Sequence, residues 1–279
     1  MKLGISTSAA TLLLAIAVSA AASRPAPVEL TGALTQGGVV FGKTEPGATV
    51  TLDGRAVRVA KDGRFVFGFG RDAPATATLE VHHADGTLTH MPLQIASRQY
   101  EIQRVEGLPQ NLVTPTPEEE ARIAREQAEV AQARTLDLDE PLFESKFIWP
   151  AAGPISGVYG SQRILNGTPR APHYGVDVAA PEGSPVVSPA DALVTFAAPD
   201  LLLTGGTVIL DHGHGLSSTF LHLSRIDVKV GQRLHQGDLV GAVGATGRAT
   251  GPHLHWGMNW FDIRLDPALV VGPIPAATQ

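Results

Sequence analysis

Gly251-Pro252-His253-Leu254-His255-Trp256 follows the glycine-rich run Gly244-Ala245-Thr246-Gly247 and opens a strand. Side chains on a strand alternate between its faces, so His253 and His255, two apart, project together. Two further stretches carry histidine in similar company. In His173-Tyr174-Gly175-Val176-Asp177, strand geometry puts His173 and Asp177 on one face, with Gly175 leaving room between them. In Phe220-Leu221-His222-Leu223-Ser224 a histidine lies among apolar neighbours. No long helical pattern interrupts the short strands and glycine turns from about residue 147 onward, so this part of the chain reads as a compact, mostly β unit.

Working outward, Asp53-Gly54, Asp62-Gly63 and Asp85-Gly86 each sit between strand-like runs, an arrangement that favours tight hairpins because both turn positions tolerate positive φ. Residues 23–98 are therefore expected to form a small β-sandwich of immunoglobulin-like type. Residues 99–144 are expected to be a linker holding a helix over about 117–134. Thr116 is its expected N-cap, Pro117 its first residue and Glu119 the reciprocal partner in a capping box. Glu118 and Arg122 are spaced to pair on its surface. Residues 145–279 make up the remaining β unit. At the N-terminus, Lys2, the apolar run Ala9 to Val18 and the small residues Ser19 to Ala22 read as a signal peptide over residues 1–22. The apolar run is short for a membrane span, so no stable span is expected once the signal is cleaved.

The 279 residues include no cysteine, which excludes disulfides and thiolate metal sites. A net charge of -6 without a basic block argues against nucleic acid as a partner. A helical His-Glu-x-x-His motif is absent. Histidine and carboxylate remain as donors, and two imidazoles with one carboxylate form a set that suits zinc and leaves a fourth position for water. Two additional histidines could then move protons at neutral pH.

From Trp149 to Pro267 the chain resembles the lysostaphin/LytM-type zinc endopeptidases, which cleave peptide bridges of the bacterial wall. The resemblance is carried by Trp149-Pro150, Tyr159-Gly160, Arg163, Asn166-Gly167, Pro172 to Asp177, Ala179 to Gly183, Asp211-His212-Gly213, His222-Leu223-Ser224, Gly237-Asp238 and Gly244 to His255. Phe220 stands where the family often has tyrosine, and Trp256 where phenylalanine is common.

The resemblance implies a bound Zn2+ held by His173, Asp177 and His255. It makes His222 and His253 the catalytic histidines, and it places Arg163 and Asn166 in a loop where they could contact substrate. It further implies a peptidoglycan hydrolase acting on peptide stems, exported to the periplasm. Two other readings stand beside it: a LytM-fold regulator of other wall hydrolases without activity of its own, and a secreted peptidase acting on proteins or peptides. His82, His83, His90, His212, His214 and His235 are expected to be structural or exposed.

Overall fold

The computed structural model describes residues 27–106, 115–144 and 146–274. Residues 1–22, expected to be a signal peptide, lie outside the described residues.

The N-terminal strands form two antiparallel sheets. One has three strands in the order Glu29–Gly32, Val39–Lys43, Arg64–Gly68; the other has four, in the order Arg55–Val57, Thr49–Leu52, Thr76–His82, Leu88–Gln94. Asp53 (φ 48) and Gly54 (φ 79) make the two-residue turn that joins Thr49–Leu52 to Arg55–Val57, as a hairpin with two left-handed positions requires. Strand Thr76–His82 alternates in burial, with Ala77, Leu79 and Val81 inward.

The C-terminal part is built around an eight-stranded antiparallel sheet, with a smaller three-stranded one formed by Pro185–Val187, Leu239–Ala242 and Arg225–Ile226. The strands of the larger sheet run in the order Arg233–Leu234, Ala192–Leu201, Gly205–Asp211, Leu216–Leu223, His253–Trp260, Val176–Ala179, Ile155–Gly157, and Ile263–Leu265 pairs with His253–Trp260 to one side. Strand His253–Trp260 serves two ends at once. Leu254, Trp256, Met258 and Trp260 are at most 1% exposed and fill the core, while His253, His255, Gly257 and Asn259 take the opposite face. A one-residue slip of this strand would exchange the two sets, so the burial of two tryptophans fixes where the histidines point.

A single cluster of buried apolar side chains runs through both halves. Phe41, from an N-terminal strand, packs on Phe143 and Phe147 at ring-centroid distances of 6.0 and 6.3 Å. Arg58 crosses the same boundary to Asp137.

The helix spans Pro117–Ala133. Glu119 donates its backbone N–H to Thr116 Oγ1 at 3.2 Å, and Thr116 returns its own to Glu119 Oε2 at 2.8 Å. It buries no residue and is held from its polar side: Leu202 N–H donates to Glu126 and Arg122 donates to the Asp200 carbonyl. Arg122 pairs with Glu126 at 2.6 Å rather than with Glu118, which brings both side chains toward the sheet. No helix among the described residues is long and apolar enough to cross a membrane.

The expected linker also holds a strand that was not foreseen from the sequence. Ile102–Val105 lies parallel to Gln162–Leu165, which in turn forms a hairpin with Thr168–Pro169.

Candidate metal centre

Three adjacent strands bring the site together. Asp177 stands directly opposite His255 across one strand pair, and Leu221 stands opposite His255 across the next. His173 precedes the strand Val176–Ala179 rather than lying within it. It reaches the same place because its backbone N–H donates to Ser161 and its ring is tethered to the carbonyl of Val158.

His173 Nε2 is 3.0 Å from Asp177 Oδ1 and 2.9 Å from His255 Nδ1, and His255 Nδ1 is 3.0 Å from the same oxygen. Among the described residues these three are the one set of histidine and acidic side chains close enough to hold an ion together. With His173 Nδ1 donating at 3.0 Å to the Val158 carbonyl, its Nε2 turns a lone pair toward the other two. Two imidazole nitrogens with one carboxylate oxygen are donors that zinc accepts, and a cation at their centre would take the place of the protons that otherwise join them.

Two glycines make room for this packing. A Cβ on Gly157 would stand 2.2 Å from Asp177 Oδ2, and one on Gly175 would stand 2.7 Å from His255 Nε2 and 2.5 Å from the Trp256 carbonyl. The expectation that Gly175 leaves space is met, with the space taken by His255.

His222 and His253 adjoin the cluster. Their ring centroids are 4.8 Å apart, His222 is 6.4 Å from His255, and His253 Nε2 is 3.8 Å from Asp177 Oδ1. Each is oriented through Nδ1, which donates at 2.8 Å to a backbone carbonyl: Thr246 for His222 and Gly251 for His253. That fixes one tautomer and leaves both Nε2 atoms free to take or return a proton. Strand alternation alone would send His222 toward the core with Ser218 and Phe220. Its φ of 64 turns it out instead, where the ladder with Gly205–Asp211 shifts register between Gly206 and Val208. A left-handed histidine at the rim of a site is the kind of strain that a fold retains for function.

The electrostatics are coupled. Burial would raise the Asp177 carboxyl, but hydrogen bonds from His173 and His255 outweigh it and hold the group well below the usual carboxylate range. Burial would lower His173, yet the bond to Asp177 raises it above the ordinary histidine value. Burial pushes His255 down to about 4. Burial also lowers His222, aided by the neighbouring His253.

Arg163 and Asn166 lie on the Gln162–Leu165 hairpin. The Arg163 guanidinium is exposed and donates through Nε to Gln103 at 3.1 Å, while Asn166 takes φ 49 in the turn before Gly167. His212 and His214 are fully buried. His212 bonds the Asp191 carbonyl and Ser218 Oγ; His214 bridges the carbonyls of Arg58 and Asp139.

Residues 171–267 match the model of peptidase family M23. A crystal structure from Pseudomonas aeruginosa carrying the M23 peptidase designation is 33% identical, covers 85% of this chain and 94% of its own, and superposes with a TM-score of 0.64. The peptidoglycan DD-endopeptidase ShyA of Vibrio cholerae is 41% identical over 103 residues, which is 37% of this chain and 24% of ShyA. The cell division protein DipM of Caulobacter vibrioides is 32% identical over 161 residues, 58% of this chain and 25% of DipM. The chain thus spans about a quarter of the length of these curated relatives.

Proposed function

The chain belongs to peptidase family M23, and on that premise we propose that it is a zinc-dependent endopeptidase hydrolysing peptide cross-links of bacterial peptidoglycan. What carries the reading is the convergence of His173, Asp177 and His255 donor atoms within 2.9–3.0 Å of one another, beside two histidines each oriented by an Nδ1 bond to a backbone carbonyl. Relatives described as peptidoglycan DD-endopeptidases support the substrate.

His173 Nε2, His255 Nδ1 and Asp177 Oδ1 would hold the zinc. When bound, zinc supplies Lewis-acid polarisation of a carbonyl and an acidified water. His253 accepts a proton at Nε2 as the general base, and its Nδ1–H bond to Gly251 turns the Nε2 lone pair away from that carbonyl. His222, once protonated at Nε2, stabilises developing oxyanion charge or returns that proton to the leaving amine. Its position beside His253 lets a proton gained at one ring be delivered from the other. Arg163 and Asn166, on a hairpin near the His173 loop, contact the peptide.

Residues 1–22 act as a signal peptide and the mature enzyme works in the periplasm, where peptide stems are its partner. Residues 23–98 constitute an immunoglobulin-like domain, 99–144 a linker and 145–279 the peptidase domain.

The test is mass spectrometry of products from purified sacculi, with and without a chelator. Soluble muropeptides from cleaved cross-links, lost on chelation and restored by zinc, are the expected result. A protein that contains zinc yet releases nothing would overturn the catalytic reading.

A further inference from the structure

Two arginines lie on the metal-bearing face of the large sheet without an acidic partner among the described residues. Arg134, at the end of the connector helix, donates from Nη2 to Thr219 Oγ1 at 3.2 Å. Arg264, on strand Ile263–Leu265, donates from Nη1 to Asn259 Oδ1 at 3.3 Å. Thr219 pairs with Gly257, and Arg264 pairs with Asn259. His255, Gly257 and Asn259 alternate onto one face, so both guanidiniums are anchored along the line that begins at the metal centre. Between the anchors is Gly257, which contributes no side chain; the Tyr174 carbonyl lies over it, 2.9 Å from where a Cβ would stand. Thr219 and Asn259 are diagonal neighbours across the ladder, about 7 Å apart, which sets the two guanidiniums close enough to share one carboxylate.

Both side chains are partly buried. Among the described residues neither makes an ion pair, and the buried Nε–H of Arg134 has no hydrogen-bond partner. Removing a cation from water without a counter-charge is costly. Burial, then the charge of Arg264, pushes Arg134 down to about 9. The other half-buried arginines at this boundary differ, since Arg58 and Arg98 pair with Asp137 and Asp266. Arg264 also lines, with Tyr174, a cavity of about 500 Å3, so this arginine is approached from solvent there.

We propose that Arg134 and Arg264 form a carboxylate-binding subsite of the cleft, one that engages a free carboxylate of the peptide substrate. The proposal rests on the peptidase reading above. The rise of a strand puts Gly257 about 7 Å and Asn259 about 14 Å from His255. An extended peptide covers that distance in roughly two to four residues, so the recognised carboxylate is that far from the scissile amide. Arg134 thereby ties the connector helix to substrate choice, since its guanidinium is delivered from outside the sheet.

The experiment uses the full chain and synthetic peptides that carry one free carboxylate one to five residues from a scissile amide, each paired with its carboxamide. Metal-stripped protein gives binding by calorimetry, and zinc-loaded protein gives kcat/KM. The acid form is expected to bind about 10-fold more tightly than the amide at two to four residues' separation, equivalent to ~1.4 kcal/mol. Arg134→Gln and Arg264→Gln should each reduce this preference to within about 2-fold, and Arg264→Lys should retain part of it. Equal binding of acid and amide by the parent protein, or undiminished preference in folded Gln variants, overturns the subsite. Acid preference without cleavage supports the subsite and sinks the peptidase reading; cleavage without preference does the reverse.

Discussion

Replacing Gly175 with alanine tests whether the ligand cluster depends on the space beside it. The new Cβ would stand 2.7 Å from His255 Nε2 and 2.5 Å from the carbonyl oxygen of Trp256. Ordinary heavy-atom contact begins at about 3.5 Å, so the shortfall is roughly 0.8 Å at the ring and 1 Å at the carbonyl. The carbonyl belongs to a central strand paired on both sides and cannot retreat, so the His255 ring must move. Metal–ligand distances tolerate about 0.2 Å, several times less than this displacement. Zinc affinity should fall about 10- to 100-fold, the range seen when the surroundings of metal ligands are altered. Gly157→Ala, whose Cβ would meet Asp177 Oδ2 at 2.2 Å, should act similarly, whereas Gly272→Ala, with nothing within 4 Å, should leave affinity alone. The assay is competition against a chromophoric chelator, with far-UV circular dichroism to confirm the fold. A folded Gly175→Ala protein that binds zinc within about twofold of the parent would refute the steric argument.

His253→Ala should keep stoichiometric zinc and lose about 10²- to 10⁴-fold in turnover, while His255→Ala should lose the metal as well; normal turnover by His253→Ala on purified peptidoglycan would remove it from the base role. Burial holds His212 at about 4 against an ordinary 6.5, so between those values the unfolded chain takes up a proton that the folded one refuses. Stability should therefore drop by about 3 kcal/mol as pH falls through that window, and His212→Gln should flatten the slope in urea unfolding of chelator-treated protein; an unchanged slope would contradict this. Phe143, 5% exposed and packed on Phe41 and His214 at 6.0 and 5.4 Å, should cost about 3–5 kcal/mol when cut to alanine, with a loss under about 1 kcal/mol in the same unfolding assay counting against a shared core.

Local chemistry carried much of this structure in plain sight. Asp53-Gly54 announced its hairpin, and Thr116, Pro117 and Glu119 announced the helix start, because turn and cap preferences act over a few residues. The spacing of His253 and His255 gave their common face for the same reason. What stayed hidden depends on partners distant in sequence. Nothing near His222 foretells its left-handed backbone, which follows from a register shift against Gly205–Asp211. The approach of His173 to Asp177 is set by contacts to Val158 and Ser161, not by strand geometry. The parallel strand Ile102–Val105 reads locally as irregular chain and acquires its form from Gln162–Leu165. Arg134 looked like the solvated end of a helix, and Arg264 lay in a hairpin edge without a motif. Their common position emerges only once the sheet is assembled.

The apolar cluster that passes from Phe41 through Phe143 and Phe147 has a practical outcome for dissection of the molecule. Leu265 fits so closely over Gly68 that a single added carbon would collide with it at 2.5 Å. Expressing either half alone would strip these surfaces bare and favour clumping over folding. A chain severed between Ile102–Val105 and the connector helix should instead travel as one particle through gel filtration, its two pieces parting only in denaturant.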